Sequence, residues 1–185
     1  GLRQHRLSQR EKEVVKVTHY QDRFKMEYKV IDEFLEKEDF EKVEDLLMSS
    51  SIDWHHVKDD DSVDGGYLVH PFFYYDANKR PISSPFFDSL APLLKKLSLK
   101  ALVRVKANFF HSTERIESHS LHHHSSSHKM AIFSVNTNNG HTRLGDGRKI
   151  NSVANRVLMF DPINLHASSS CSDKSCRINV VIDYV

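Results

Sequence analysis

The C-terminal part of the chain is a run of short β-rich segments with no helical pattern between them, and this feature limits the fold most. The segments are "ALVRVKANFF", "KMAIFSVN", "HTRL", "RKINSV", "NRVLMFD" and "CRINVVIDYV". Turn signals such as Asn-Gly and Asp-Gly lie between them. Regular short strands without intervening helices are typical of a β-sandwich or β-barrel. We therefore expect a mainly β domain with its core strands in residues 101–185.

The N-terminal half predicts elements that support this core. Apolar residues recur at helical spacing in "KEDFEKVEDLLMS", which indicates an amphipathic helix near residues 38–48. A second apolar stripe in "SPFFDSLAPLLKKL" predicts a helix over 86–97, in which Pro92 is expected to cause a kink. The aromatic segment "YLVHPFFYY" predicts a strand, and Pro71 places it at a sheet edge or bends it.

The length predicts a single domain. A chain of 185 residues can bury one sizeable core but is short for two ordinary domains. We expect a charged N-terminal arm over residues 1–26 and one domain over 27–185, made of helical support (27–100) and a β core (101–185). The acidic stretch "KDDDSVDGG" does not match the spacing of a calcium-binding loop, so it is interpreted as a solvated loop.

Composition excludes several partner classes. Lys and Arg total 26 against 25 for Asp and Glu, a formal charge of +1, so no strong field favours nucleic acid or a membrane surface. No apolar run approaches the roughly 18 residues that a membrane span requires. Cys171 and Cys176 are the only cysteines, too few for a disulfide framework, which favours a reducing cytoplasm. Nothing in the sequence indicates an oligomeric state.

Histidines form the most unusual local feature. The chain has 13, and several of them fall in "ESHSLHHHSSSH", directly before a strand-like segment. Because alternate residues of a strand face the same side, His122 and His124 can face one point while His123 faces away. His166 follows a later strand, and Arg177 begins the last one. Imidazole is the commonest transition-metal ligand, so this arrangement indicates a metal site with a basic residue nearby.

These positions resemble those of the Fe(II)- and 2-oxoglutarate-dependent oxygenases, and within them a prolyl-4-hydroxylase-like branch of the type found in phage and marine microbial genomes. The resemblance covers roughly residues 27–184. It is carried in order by "KVIDEFLEKEDFEKVEDLLMS", "FFDSLAPLLKKLSLKALVRVKAN", "AIFSVNTNNGHT", "GRKINSVANRVLMFD" and "CSDKSCRINVVIDY". It implies a double-stranded β-helix, a jelly roll of cupin-like type, flanked by N-terminal helices.

The resemblance also implies a metal site and its cofactors. In the family an H-x-D pair and a later histidine hold iron, and these positions correspond here to His122, His124 and His166. The implied cofactors are Fe(II), 2-oxoglutarate as cosubstrate and O2. An all-nitrogen ligand set favours other divalent metals, so the purified protein is expected to carry one of these in part.

A pocket for 2-oxoglutarate is implied beside the metal. Arg177 corresponds to the residue that binds the distal carboxylate of the keto acid through a charge-assisted fork. Thr142 and Ser134 correspond to further positions that line this pocket. Asn108 points the same way as Arg104 and Lys106 on its strand, and it is also expected to line the pocket.

The sequence departs from the family pattern at two positions. His124 stands where the family has Asp, which leaves a bound metal with one more positive charge than a carboxylate ligand would. Ser134 stands where a Tyr usually helps to hold the keto acid.

These changes leave three functions open: a dioxygenase (hydroxylase) with an altered metal triad, a degenerate β-helix that serves as a binding or structural module, and a three-histidine cupin-type metalloenzyme without 2-oxoglutarate. Arg177 speaks against the third. The substrate, a protein side chain or a small molecule, is not specified.

Overall fold

The computed structural model describes residues 26–57, 66–124 and 128–185. The predicted arm lies outside these residues except for Met26, and the acidic loop lies outside them except for Gly66. The described elements are β1 (Tyr28–Ile31), α1 (Lys37–Met48), β2 (His55–Val57), β3 (Tyr67–Tyr75), β4 (Pro81–Ser83), a 3-10 helix (Phe87–Leu90), α2 (Ala91–Lys96), β5 (Leu102–His111), β6 (Lys129–Ser134), β7 (His141–Leu144), β8 (Lys149–Asn151), β9 (Arg156–Phe160), β10 (His166–Ala167) and β11 (Cys176–Tyr184). Among the described helices, none is long and apolar enough to cross a bilayer.

Two antiparallel sheets face each other. The larger has the strand order β1-β9-β6-β11-β5-β3-β2, with β4 paired to β3. The smaller has the order β10-β7-β8. Antiparallel bridges from Ser118 to Ser169 and from His122 to His166 add the segment before β6 to its edge. Four strands of the large sheet (β5, β11, β6 and β9) and these four segments form the eight-stranded double β-helix, so the predicted mainly β fold is confirmed.

The residues of β11 alternate between the hydrophobic core under the helices and the space between the two sheets. Every residue of β11 is buried, although one face of the strand is apolar and the other largely polar. Ile178, Val180 and Ile182 join the core cluster that includes residues of α1 and α2. Arg177 and Asn179 alternate with them and therefore face the interior between the sheets. Helices cover one side of the strand and the small sheet covers the other.

The predicted helix over 86–97 differs from the observed structure. The 3-10 helix Phe87–Leu90 comes first, and α2 starts only at Ala91. Pro92 therefore lies in the first turn of α2. Backbone N–H groups in the first turn make no hydrogen bond within the helix, so a proline is tolerated there. The predicted kink inside one continuous helix is wrong. In β3, a register shift between Pro71 and Phe73 supplies the bend that the proline predicted.

The connection before α1 is fixed to the large sheet by one asparagine. Asn155 has a positive φ of 61°, a conformation that asparagine tolerates better than most residues. Its side-chain oxygen accepts a hydrogen bond from the N–H of Leu35, and its side-chain nitrogen donates to the Leu35 carbonyl, both at 2.8 Å. The main-chain oxygen of Asn155 also accepts from the N–H of Phe34. The turn before β9 therefore positions the chain that enters α1.

Candidate metal centre and its cavity

Three histidines converge at one end of the space between the sheets. His122, His124 and His166 each offer a ring nitrogen, and these atoms all lie within 4.8 Å of one another. Nitrogen ligands lie about 2.0–2.1 Å from a zinc ion, so donors this close need only small side-chain rotations to share one ion. His166 is buried, His124 half-buried and His122 exposed, which leaves the cluster open on one side.

Backbone pairing creates this convergence. The N–H of His122 donates to the carbonyl of His166 at 3.0 Å, and the reverse bond measures 2.9 Å. These two bonds place the two rings 4.5 Å apart between their centres. The N–H of His124 donates to the carbonyl of Pro162 at 2.9 Å, which holds the third ring on the same side. His123 lies between two of the cluster residues, is exposed and does not belong to the cluster.

Two of the rings are already oriented for ligation. Nδ1 of His166 lies 2.9 Å from the carbonyl oxygen of Asn164, and Nδ1 of His122 lies 3.3 Å from that of Ser120. A carbonyl only accepts, so each Nδ1 carries the proton and each Nε2 keeps a free lone pair. Outer hydrogen bonds of this kind orient the histidines of metal sites in general. The donor set and its supports therefore fit a divalent transition metal.

A cavity of about 390 Å³ extends from the cluster into the interior. All three histidines line it, together with Thr142 and Asn108. A volume of this size lies within the range of small-molecule binding sites. The cavity is large enough for a small organic acid beside a metal ion.

Arg177 is 1% exposed and contacts two residues that line this cavity, Thr142 and Ser168. Its guanidinium donates to Ser152 Oγ at 2.7 Å, to Ser168 Oγ at 2.9 Å and to Thr142 Oγ1 at 3.2 Å. All these partners are neutral, and within the described residues no carboxylate forms an ion pair with it. Burial lowers the pKa of Arg177 to about 10. A desolvated cation with only neutral partners is unfavourable unless an anion completes the site.

The remaining pocket positions, Asn108 and Ser134, differ in whether they line the cavity. Asn108 is buried, lines the cavity and donates to the side-chain oxygen of Asn179 at 3.0 Å. The side-chain oxygen of Asn108 has no hydrogen-bond partner among the described residues. Ser134 is paired with Asn179 across the strands, and the described lining does not include it.

Two histidines that flank the cluster do not belong to it. His119 lines the cavity and packs on Phe110 with ring centres 5.3 Å apart. Nε2 of His128 lies 3.3 Å from a carboxylate oxygen of Asp183. Within the described residues, the convergent donors come only from His122, His124 and His166.

Sequence reasoning missed the residues that support Arg177 and two cations of β5 that line the cavity. Ser152 and Ser168 hold the guanidinium but stand in serine-containing segments with no distinguishing pattern. Arg104 and Lys106 line the cavity. Their strand alternation with Asn108 indicated a shared face, and this was the only signal available.

The buried state of His166 gives the metal-free protein a defined pH dependence. Burial lowers the pKa of His166 to about 4, against about 6.5 for an unfolded histidine. Between these values the unfolded chain binds a proton that the folded chain does not, so the free energy of unfolding falls as pH falls from about 6.5 to about 4. The loss attributable to His166 is up to roughly 3 kcal/mol. We expect His166→Gln to flatten this slope in urea unfolding at several pH values with chelator present.

The matched control for this measurement is His123→Gln. His123 is exposed and adjacent to the cluster, so its replacement should leave the slope as in the parent protein. Equal slopes in the parent and in both variants would contradict the assignment of His166 as a buried neutral residue.

Comparison with known proteins gives similarity in structure without similarity in sequence. No family model matches the chain, and no curated protein sequence matches it. An oxidoreductase of the 2OG-Fe(II) oxygenase family from Burkholderia pseudomallei superposes with a TM-score of 0.65 at 11% identity, over 85% of this chain and 84% of that one. A prolyl hydroxylase from Trichoplax adhaerens, in complex with a peptide fragment of the hypoxia inducible factor, gives 0.59 at 12% identity, over 85% and 83%.

A third structure belongs to HygX from Streptomyces hygroscopicus, with nickel, 2-oxoglutarate and hygromycin B bound. Its TM-score is 0.57 at 12% identity, over 86% of this chain and 82% of that one. At such identities the likeness concerns the fold, and it agrees with the resemblance found in the sequence. The protein has the double-stranded β-helix fold of the 2OG-Fe(II) oxygenases.

Proposed function

We propose that the protein is an Fe(II)- and 2-oxoglutarate-dependent dioxygenase, a hydroxylase, whose metal is held by His122, His124 and His166. One observation carries the proposal: a single cavity has a cluster of potential metal ligands on one wall and, in contact with its lining, a fully buried arginine with neutral partners. Together these two features fit a metal-chelating organic acid with a second, distal carboxylate.

The metal would be held through the three neutral imidazoles. Bound there, iron would supply the activation of O2 that couples oxidation of 2-oxoglutarate to succinate and CO2 with hydroxylation of the substrate. The protein contributes orientation, through the carbonyls of Ser120 and Asn164, and shielding from water.

Arg177 would bind the distal carboxylate of 2-oxoglutarate. Ser168, which accepts from Arg177, stands two residues beyond His166 in the same segment, a separation of about 7 Å at strand spacing. Thr142 also receives a hydrogen bond from this guanidinium through its hydroxyl, and it lines the cavity. Ser134 is a weaker candidate because the described lining does not include it.

Asn108 would contribute a donor to the cosubstrate once its amide is reversed. Its side-chain oxygen is buried without a hydrogen-bond partner among the described residues, and the oxygens of a bound keto acid would offer it only further acceptors. Reversing the amides of both Asn108 and Asn179 keeps their mutual hydrogen bond and presents N–H groups to the cavity instead. The pair can therefore serve a carboxylate or keto oxygen without moving the backbone.

The substrate class does not follow from the fold. One structural neighbour holds a peptide fragment and another holds hygromycin B, so both a protein side chain and a small molecule remain candidates. We place the activity in a reducing compartment such as the cytoplasm, because Cys171 and Cys176 are both free thiols.

The direct test is calorimetric titration of 2-oxoglutarate into protein loaded anaerobically with Fe(II), compared with metal-free protein. Binding that requires metal, followed by release of succinate on addition of O2, supports the proposal. Metal binding without any affinity for 2-oxoglutarate would instead indicate a cupin-type metalloenzyme. Absence of both would indicate a binding or structural module.

A further inference from the structure

One ring of the metal cluster lacks the outer support that the other two have. Nδ1 of His122 and Nδ1 of His166 each lie beside a main-chain carbonyl. The main-chain N–H of His124 is hydrogen-bonded, but its ring makes no hydrogen bond to any described residue. When one ring nitrogen of a histidine binds a metal, the other carries a proton and normally donates to an acceptor. His124 is therefore the member of the cluster that still lacks an acceptor.

Asp183 has an acceptor oxygen that is not used. Its side chain is 1% exposed. Oδ2 accepts a hydrogen bond from Nε of Arg104 at 2.8 Å and lies 2.7 Å from Nη2 of the same guanidinium. Oδ1 is buried and accepts no hydrogen bond from the described residues, although Nε2 of His128 lies 3.3 Å from it. A buried carboxylate oxygen without a donor is unfavourable, so Asp183 can accept one more hydrogen bond.

Strand register places Asp183 in a row of residues that leads to the metal cluster. Across the large sheet, Phe160 of β9 lies opposite Met130 of β6, and Met130 lies opposite Asp183 of β11. Residues directly opposite each other share one face of a sheet, and strands lie about 5 Å apart, so Asp183 is about 10 Å from Phe160 at the backbone. The ring of Phe160 packs on that of His166 at 4.9 Å between centres, and His166 stacks on His124 at 5.5 Å.

Asp183 is not itself among the convergent donors. Within the described residues, the potential metal ligands that lie together are the three histidines. Asn179 and Val181 of β11 line the cavity, and the described lining does not include Asp183. This carboxylate is therefore placed to act on a metal ligand and not to be one, which is the usual role of an outer carboxylate in metal sites.

The charge of Asp183 reaches the ring that lacks an acceptor. Burial is the main cause of the lowered pKa of His124. Among the charged side chains, Asp183 has the largest effect on this pKa, and it acts in the opposite direction. A nearby carboxylate favours the positive form of an imidazole, so the two groups are close enough to interact before any metal binds.

We infer that Asp183 is the positioning residue of His124: when a divalent metal binds to the cluster, the free ring N–H of His124 donates to Oδ1 of Asp183. The inference rests on the proposed metal centre. Arg104 holds the other oxygen of the carboxylate, so the acceptor has a fixed position. Such a carboxylate–histidine–metal arrangement makes the imidazole a more basic ligand. It also supplies negative charge beside an ion that three neutral imidazoles leave uncompensated.

The test is a double-mutant cycle on metal affinity. Asp183→Asn keeps the shape of the side chain and removes its charge, and it should weaken Ni(II) binding tenfold or more in competition with a chelator of known affinity. In the His124→Ala background the same substitution should change the affinity by less than twofold, because no ring is left to position. Losses of equal size in the two backgrounds would mean that Asp183 does not act through His124, and the inference would be overturned.

Arg104→Gln is the matched control, because it breaks the same ion pair and keeps the carboxylate. Its Ni(II) affinity should be no weaker than that of the parent protein. An equal loss in Arg104→Gln and Asp183→Asn would assign the effect to the ion pair and overturn the inference. If Asp183→Asn does not fold, Arg104→Gln is compared with Arg104→Gln/Asp183→Asn, in which no guanidinium is left without its carboxylate. A tenfold loss between these two supports the inference, and unchanged affinity overturns it.

Failure of the proposed metal centre is recognised separately through His166→Ala. If His166→Ala loses Ni(II) affinity and Asp183→Asn does not, the inference alone is overturned and the metal centre stands. If His166→Ala has no effect, the metal is bound elsewhere, and the proposed function and the inference are both overturned.

Discussion

His166→Ala is expected to weaken Ni(II) binding by a hundredfold or more. His166 is the buried member of the cluster, and its ring is fixed by the Asn164 carbonyl at 2.9 Å. Loss of an outer-shell partner alone commonly costs 10–100-fold in metal affinity, so loss of a ligand should cost at least as much. Titration in competition with a chelator of known affinity measures the change.

His123→Ala provides the control for this measurement. This residue lies within the same histidine triplet but outside the cluster, so metal affinity should stay within about twofold of the parent value. A hundredfold loss in His123→Ala, or no loss in His166→Ala, would show that the metal is bound elsewhere.

His124→Asp tests the altered position in the same series. An all-nitrogen site prefers nickel, copper and zinc to iron more strongly than a site with a carboxylate does. The substitution is therefore expected to raise the iron-to-nickel selectivity and to improve iron retention during purification, measured by elemental analysis. If His124→Asp and His124→Ala both leave metal content unchanged, residue 124 does not contact the metal.

Arg177→Ala is expected to raise the dissociation constant of 2-oxoglutarate by at least tenfold. Truncation of one partner in a desolvated, charge-assisted contact typically costs about 2–5 kcal/mol. Arg177→Lys keeps the charge but loses the fork that reaches Ser152, Ser168 and Thr142 together, so it should give an intermediate value. Calorimetric titration of 2-oxoglutarate into metal-loaded protein measures both.

Two comparisons separate a pocket effect from a folding effect. Metal affinity of the Arg177 variants should match the parent, because the metal ligands lie on other segments. Arg143→Ala serves as a control on β7. The side chain of Arg143 leaves the strand on the face opposite to that of its neighbour Thr142, so this variant should leave 2-oxoglutarate affinity unchanged. Unchanged affinity in Arg177→Ala would show that the keto acid does not reach this end of the cavity.

The elements that could be predicted from the sequence are those with a clear period. The strands after Leu97 and the helix at 37–48 have apolar spacings that allow one interpretation. The segment 86–97 has an equally regular stripe, but Pro92 cannot donate its N–H, so the helix starts at Ala91 and a 3-10 turn precedes it. The spacing of apolar residues predicts which face of a helix is buried. It does not predict where the backbone changes from a 3-10 helix to an α-helix.

Strand alternation and the spacing of the histidines indicated the cluster of His122, His124 and His166. The role of Arg177 as the partner of a carboxylate was implied only by the family resemblance and stays a prediction. Ser152 and Ser168 could not be identified, because a hydroxyl that accepts from a buried guanidinium has the same sequence context as a solvated serine. The pairing of Arg104 with Asp183 joins the two ends of the β core, a contact that depends on strand register alone.

The two-sided burial of β11 has a consequence for how this protein can change over evolutionary time. On β11, Ile178, Val180 and Ile182 hold the helices to the sheet, and the residues that alternate with them face the interior cavity. Substitutions on the two sides of this strand therefore act on different properties, the packing of the helices on one side and the lining of the cavity on the other. The double β-helix can therefore keep its helical support while the lining of its cavity changes.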